Sequence, residues 1–327
     1  MGTVDIVTKE YMRENAIFAA AFNYLIYGGK KVIDPAGLTE IDTATSAVGK
    51  KDALQKYRDV LKAAVIKQDE KMSYVLLGVE NQTDVHYAMP VRNAIYDALQ
   101  YGKQVSDIAA GHRRSQKDYS GKTGGEYLSG FLKEDHIKPV ITLVIHFGAE
   151  EWDGPLSLHE MMPIRDMEIL SYVENYRIHL IDPAKLTEEQ LDQFSTSLKE
   201  VMGYIKYSKN KEQLLKFLQT DTHRSIEMNA VRVIKTITNT PIEVSEEEEE
   251  IEMCKAIEDL IAESEARGRA EGETRGEAKG MIEICLDMSF SKEDILKKLQ
   301  EKLNISLQQA GEYFVPRHPS HCSSRVQ

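Results

Sequence analysis

Asp59, Glu80 and Gln82 are the residues of this sequence whose types and spacing most directly suggest chemistry. Glu80 and Gln82 are two apart, so a strand places them on one face and turns Asn81 to the other. Asp59 stands near the start of the preceding apolar run. If the two runs pair as neighbouring strands, two carboxylates and an amide side chain meet at one edge of a sheet. That is a site for a hard divalent cation, magnesium or manganese, which takes oxygen ligands and keeps several waters. Such an ion polarises a phosphodiester and offsets the charge of the transition state.

Other polar residues lie close by in sequence. Arg92 and Tyr96 are four apart, so on a helix they share a face. His86 precedes that helix and is read either as an acid or phosphate ligand, or as a structural loop histidine. Arg113, Arg114, Lys117 and Lys122 fall in a polar, Gly-rich stretch that is either a phosphate-contacting loop or a solvated turn.

The elements that must position these residues follow from periodicity. Phe18, Ala21, Phe22, Leu25 and Ile26 recur at helical spacing, which predicts a helix over Glu10–Tyr27 stopped by Gly28-Gly29. Residues 34–56 read as loop with short structure, broken by Pro35, Gly37 and Gly49. Strands are predicted over Tyr57–Ile66 and Ser73–Val79, joined by a hairpin turn at QDEK. The second is too apolar for a solvent-facing strand and reads as central. A helix opens at Met89-Pro90, where proline suits a first position. Val91, Ile95, Leu99 and Val105 predict its buried stripe to about residue 110, with a loop over 111–125. Pro139–Phe147 reads as another apolar strand. Residues 160–240 read as mainly helical, with Glu189–Ile205 and Lys211–Leu218 as members and YRIHLID (176–182) as a further strand. This order implies an α/β fold, a sheet flanked by helices.

Further on, Glu246–Glu250 is a run of glutamates that reads as a solvated linker or helix start. Gly268, Gly272, Gly276 and Gly280 are spaced by four. Each glycine costs about 1 kcal/mol against alanine inside a helix. The stretch is read as a low-complexity linker or frayed helix, or as a close helix–helix contact in a homo-oligomer. Lys292–Tyr313 reads as a short helical unit with capping signals at Ser291/Asp294 and Ser306/Gln309. The expected divisions are 1–160 for the core, 161–242 for a mainly helical extension, 243–280 for the acidic Gly-spaced segment and 281–327 for the terminal unit and a disordered tail.

Composition sets outer bounds. The 327 residues are 42% hydrophobic and 29% charged, as in ordinary globular proteins. No stretch reaches the roughly 18 apolar residues of a membrane helix. No signal pattern opens the chain, so a cytoplasmic location is expected. Cys254, Cys285 and Cys322 form no CxxC pair. The net charge is −12, but residues 241–280 account for −9 of it, leaving the rest of the chain at −3. Bulk charge therefore neither points to nucleic acid nor excludes a local basic surface. The sequence has no GxxxxGK[ST] loop, no GxGxxG after a strand and no GxSxG elbow, which removes the common nucleotide-binding and serine-hydrolase motifs.

The spacing of Asp59 to Glu80-Asn81-Gln82, ahead of a helix, resembles the D…(D/E)xK signature of the PD-(D/E)XK phosphodiesterases. With glutamine in the last place and ENQTDVHYAMPVRNAIYDALQY at 80–101, it resembles the Rpn-type recombination-promoting nucleases and YhgA-like transposases. PVITLVIHFG (139–148) and WDGPLSLHEM (152–161) are similar to that family's next strand and turn. The likeness runs from about residue 10 to residue 240. It implies a restriction-endonuclease-like core and a magnesium- or manganese-dependent DNA endonuclease serving recombination or mobile elements. It assigns the metal to Asp59 and Glu80, water orientation to Gln82, and site support or DNA-backbone contact to Arg92 and Tyr96.

Two positions depart from the pattern. Gln82 replaces the superfamily's lysine, so it can hydrogen-bond a water but bring no charge to it. Members of the family it resembles often carry an acidic residue in a segment like F-A-D-x-F-N, where this chain has Ala20. Glu14, about 1.7 turns earlier, lies on a different face. The second expectation is accordingly a degenerate nuclease fold acting as a DNA- or protein-binding or assembly protein. A third is a structural protein that self-associates through its C-terminal helices.

Overall fold

In chain order the strands are β1 (Leu38–Glu40), β2 (Ala44–Ala47), β3 (Leu54–Tyr57), β4 (Val60–Gln68), β5 (Lys71–Gln82), β6 (Val140–His146), β7 (His179–Ile181), β8 (Ser225–Glu227) and β9 (Glu250–Glu252). The helices are α1 (Thr3–Arg13), α2 (Asn15–Tyr27), α3 (Met89–Arg114), α4 (Gly124–Ser129), α5 (Met167–Leu170), α6 (Glu188–Leu191), α7 (Leu198–Tyr207), α8 (Lys211–Gln219), α9 (Met228–Thr238), α10 (Met253–Asp287), α11 (Lys292–Leu303) and α12 (Leu307–Tyr313). The computed structural model describes residues 2–41, 44–47, 54–57, 59–68, 71–115, 120–219, 225–240 and 250–314. It divides into two units, Met1–Ala256 and Ile257–Gln327.

The first unit is α/β, built on a mixed five-stranded sheet in the order β1-β4-β5-β6-β7. β4 and β5 form an antiparallel hairpin from Val60↔Val79 to Gln68↔Lys71, and β5 runs parallel to β6. Residues 69 and 70 of the expected turn lie outside the described residues. β5 is central, as its apolar run required, with Val75, Leu76, Leu77 and Val79 buried. The predicted strand at 57–66 is shifted: Tyr57 ends β3, and β4 starts at Val60.

Alternation along the sheet separates two helical layers. Leu61 and Leu76 pack with Tyr101 of α3 on one face. Lys62 and its neighbours meet α1 and α2 on the other. α1 also packs against α9, and α7 packs against both α8 and α9.

The N-terminal helix is two helices, not the single one predicted over Glu10–Tyr27. Glu14 is extended (φ −63°, ψ 126°) and separates α1 from α2. The break leaves the Arg13 carbonyl free, and the Lys62 ammonium takes it. Lys62 is 1% exposed. Its Nζ also donates to Asn15 Oδ1 at 2.5 Å and lies 5.0 Å from the centre of the Phe18 ring. Burial lowers its pKa, with Glu40 opposing. The predicted helix over Glu189–Ile205 likewise splits, into α6 and α7. The second unit contains α11, α12 and the end of α10 around a small core of Ala278, Ile282, Cys285, Ile295, Leu299 and Ala310. Ser291 and Ser306 cap their helices as predicted. The Gly-spaced stretch is continuous helix within α10, and a Cβ at Gly268, Gly272, Gly276 or Gly280 would meet no atom within 4 Å beyond its chain neighbours and the nearby backbone of its own helix.

α2 ends as predicted at Gly28-Gly29, both with positive φ, with Gly29 N–H donating to Asn23 O at 3.0 Å. A Cβ on Gly29 would lie 2.6 Å from the Gln193 carbonyl oxygen, on top of the left-handed backbone. Gly29→Ala is therefore expected to lower stability by about 1–3 kcal/mol in urea unfolding. An unchanged midpoint would mean that the 193 backbone yields freely.

Candidate metal and phosphate site

Asp59 stands one residue before β4. Extending the β4–β5 register by one step sets it opposite Glu80. Its Oδ2 accepts the Asn81 backbone N–H at 2.9 Å, which ties it to the end of β5. Glu80 is fully buried, and its Oε2 lies 3.1 Å from Arg92 Nη2, on a side chain 30% exposed. Arg92 Nε donates to the Tyr96 hydroxyl at 3.0 Å, and its guanidinium sits 5.6 Å from the centre of that ring. The pairing of Asp59 with Glu80, and the shared face of Arg92 and Tyr96, thus meet in one cluster.

The electrostatics follow from burial. Desolvation raises the Asp59 carboxyl above its usual range, against the Asn81 N–H bond and the charges of Lys9 and Arg92, while Asp5 adds to the rise. Burial opposes the Arg92 charge, but Glu80 and Tyr96 outweigh it and hold its pKa up. Burial and Glu80 raise the Tyr96 hydroxyl. Asp5 and Lys9 are contributors that sequence reasoning missed. Their i,i+4 spacing is visible, but the helix was predicted to start only at Glu10.

Gln82 is half-buried, and its Nε2 donates to its neighbour's carbonyl, Asn81 O, at 2.8 Å. His86 Nδ1 accepts the Ala88 N–H at 3.3 Å, and its carbonyl accepts the Met89 N–H, so it shapes the start of α3. Arg113 and Arg114 lie on the last turn of α3, not in the predicted loop. They stand about 30 Å along the helix axis from Arg92 and do not join the cluster. Lys122 pairs with Glu134 at 2.9 Å. Lys117 lies outside the described residues. Ala20 is buried within α2, and Glu14 receives the Asn229 amide at 2.5 Å rather than facing Asp59.

The predicted stripe on α3 is overturned. Val91 and Val105 are exposed, and the buried face carries Met89, Asn93, Tyr96, Asp97 and Gln100. Polar partners on the sheet side account for this rotation. Asp97 accepts from Thr142 Oγ1 at 2.6 Å and from the Tyr176 hydroxyl. Met89 packs on Val144, the parallel neighbour of Glu80.

Among the described residues no group of three His, Cys, Asp or Glu side chains is gathered for a metal. Magnesium needs only one or two carboxylates beside water and substrate oxygens. Asp59 and Glu80 fit that donor chemistry, and the Arg92 guanidinium is a cation already held against Glu80.

Two stability predictions follow from the pair and from Asp59. Arg92→Ala takes the cation away from a buried carboxylate and should cost about 3–5 kcal/mol. Glu80→Gln strands only a partly exposed arginine and should cost less. Equal losses in urea unfolding would remove the burial argument. For Asp59 the folded pKa is raised, so its ionised form costs stability above the ordinary carboxylate range and nothing once both states are protonated. Asp59→Asn should therefore raise the melting temperature at neutral pH, with the gap closing below about pH 4. A gap that is constant with pH would contradict this.

No helix among the described residues is long and apolar enough to cross a membrane. Comparison of the chain with protein-family models, with curated proteins and with solved structures gives no match.

Proposed function

We propose that this chain is a magnesium- or manganese-dependent DNA endonuclease with a PD-(D/E)XK-type core, related to the Rpn-type nucleases and YhgA-like transposases. One observation carries the reading: Asp59 and Glu80 stand side by side at the end of β4–β5, with Gln82 next on β5 and Arg92 on the following helix. A divalent ion there would polarise the phosphodiester and offset transition-state charge. Asp59 and Glu80 would hold it. Gln82 would orient the attacking water by hydrogen bonding, after releasing the Asn81 carbonyl. Arg92 would meet a backbone phosphate through its guanidinium fork.

A second reading has its own support. Ala20 is buried where the nuclease family that the sequence resembles often carries an acid, and Glu80 already has a cation partner in Arg92. On that reading the fold binds DNA or a protein partner without cutting.

Plasmid nicking separates the two. Purified protein is assayed with magnesium, manganese or EDTA, beside Asp59→Ala and Glu80→Ala, each checked for folding by circular dichroism. Metal-dependent nicking lost in both variants is the expected result. A folded wild type that nicks nothing with either ion supports the non-cutting reading. Ala20→Asp then asks whether a missing carboxylate is the defect.

A further inference from the structure

The Glu80–Arg92 pair creates a competition that ion pairs on a surface do not. Glu80 has no exposed surface and its Oε2 is 3.1 Å from Arg92 Nη2. A divalent ion on this carboxylate would stand within a few ångströms of the guanidinium, where little water screens the repulsion. The ion and Arg92 are therefore alternative partners for one carboxylate.

Arg92 is placed to leave. It sits in the first turn of α3, its side chain is 30% exposed, and its other contacts are the Tyr96 hydroxyl and ring face. What draws a guanidinium from a carboxylate is another anion with oxygens in a matching fork, and a phosphodiester has that geometry.

We propose that Arg92 is a resident counter-cation that couples metal loading to substrate: it neutralises Glu80 in the free protein and transfers to a DNA phosphate on docking, which leaves Glu80 to the divalent ion. This rests on the reading of Asp59 and Glu80 as the cation site. Arg92 is then the residue that sets metal affinity, and it makes that affinity conditional on DNA. Linkage requires the converse as well: metal tightens DNA by the same factor that DNA tightens metal.

The test measures Mn2+ binding to the full chain by the loss of the free-ion EPR signal, with and without a short phosphorothioate duplex. Arg92→Gln, Arg92→Lys and Glu80→Gln are compared with wild type, and each is melted with and without Mn2+. Wild type should bind Mn2+ about tenfold tighter with DNA than without. Arg92→Gln should bind it about tenfold tighter than wild type without DNA, with little added by the duplex. Its melting temperature should also gain more from Mn2+ than that of wild type. If Arg92→Gln does not fold without metal, Arg92→Lys decides. Lysine keeps a charge for Glu80 but loses the fork, so coupling should fall below wild type. Coupling equal to wild type in Arg92→Lys, Mn2+ affinity in wild type indifferent to DNA, or a folded Arg92→Gln that binds no tighter each overturns the proposal. If no form binds Mn2+, or Glu80→Gln binds it like wild type, the cation-site reading itself fails and the coupling with it.

Discussion

A carboxylate without exposed surface has lost its water and must find polar or charged partners within the protein, and for Glu80 one of them is the Arg92 guanidinium. Glu80 sets that requirement at the end of the central strand, and much of the first unit is arranged to meet it. α3 must begin close to the end of β5, and residues 83–88 bring it back in a short turn shaped by His86. Its first turn supplies Arg92, and the next turn supplies Tyr96 to orient the guanidinium. Once that face is turned inward, the residues below it are committed too. Asn93, Asp97 and Gln100 are buried on the same side, and Asp97 is held by Thr142 of β6 and by Tyr176. The layer beneath the sheet is thus polar where an ordinary amphipathic helix would be greasy.

That choice explains where sequence reasoning succeeded and where it failed. The central strands were legible because Val75–Val79 and Val140–Ile145 are apolar beyond what one buried face needs, as a strand covered on both sides must be. Asp59 beside Glu80 follows from the hairpin, so that juxtaposition in the candidate site was legible as well. The face of α3 was not. Hydrophobic periodicity points to Val91, Ile95, Leu99 and Val105, but the buried ion pair and the Asp97 contacts outweigh the apolar stripe. Such a reversal depends on partners 45 and 79 residues away, which local periodicity cannot register. The break at Glu14 is similar: no proline or glycine interrupts residues 3–27, so nothing local stops one helix, and a lysine on a distant strand supplies the donor that the break uses.

The C-terminal unit is governed by different terms. Its caps at Ser291 and Ser306 are short-range, so they were readable, and its core needs little more than the apolar residues of α11, α12 and the end of α10. α10 is less obvious. Glycines every four residues read as linker, yet the residues between them are mostly alanine, glutamate, arginine and lysine, which favour helix. Glu271 and Arg275 also stand four apart in the favourable order. Summed over 35 residues, these small preferences outweigh the glycines.

Lys62 gives the molecule a built-in clock. It is buried, its ammonium is taken up by Arg13 and Asn15, and burial favours its neutral form. A reagent that acylates amines reaches surface lysines at once, but it reaches Lys62 only when α1 and α2 lift from the sheet. The rate at which that one nitrogen is modified would count the openings of the helical layer. It would do so in the native protein, in dilute buffer, with no denaturant and no introduced label.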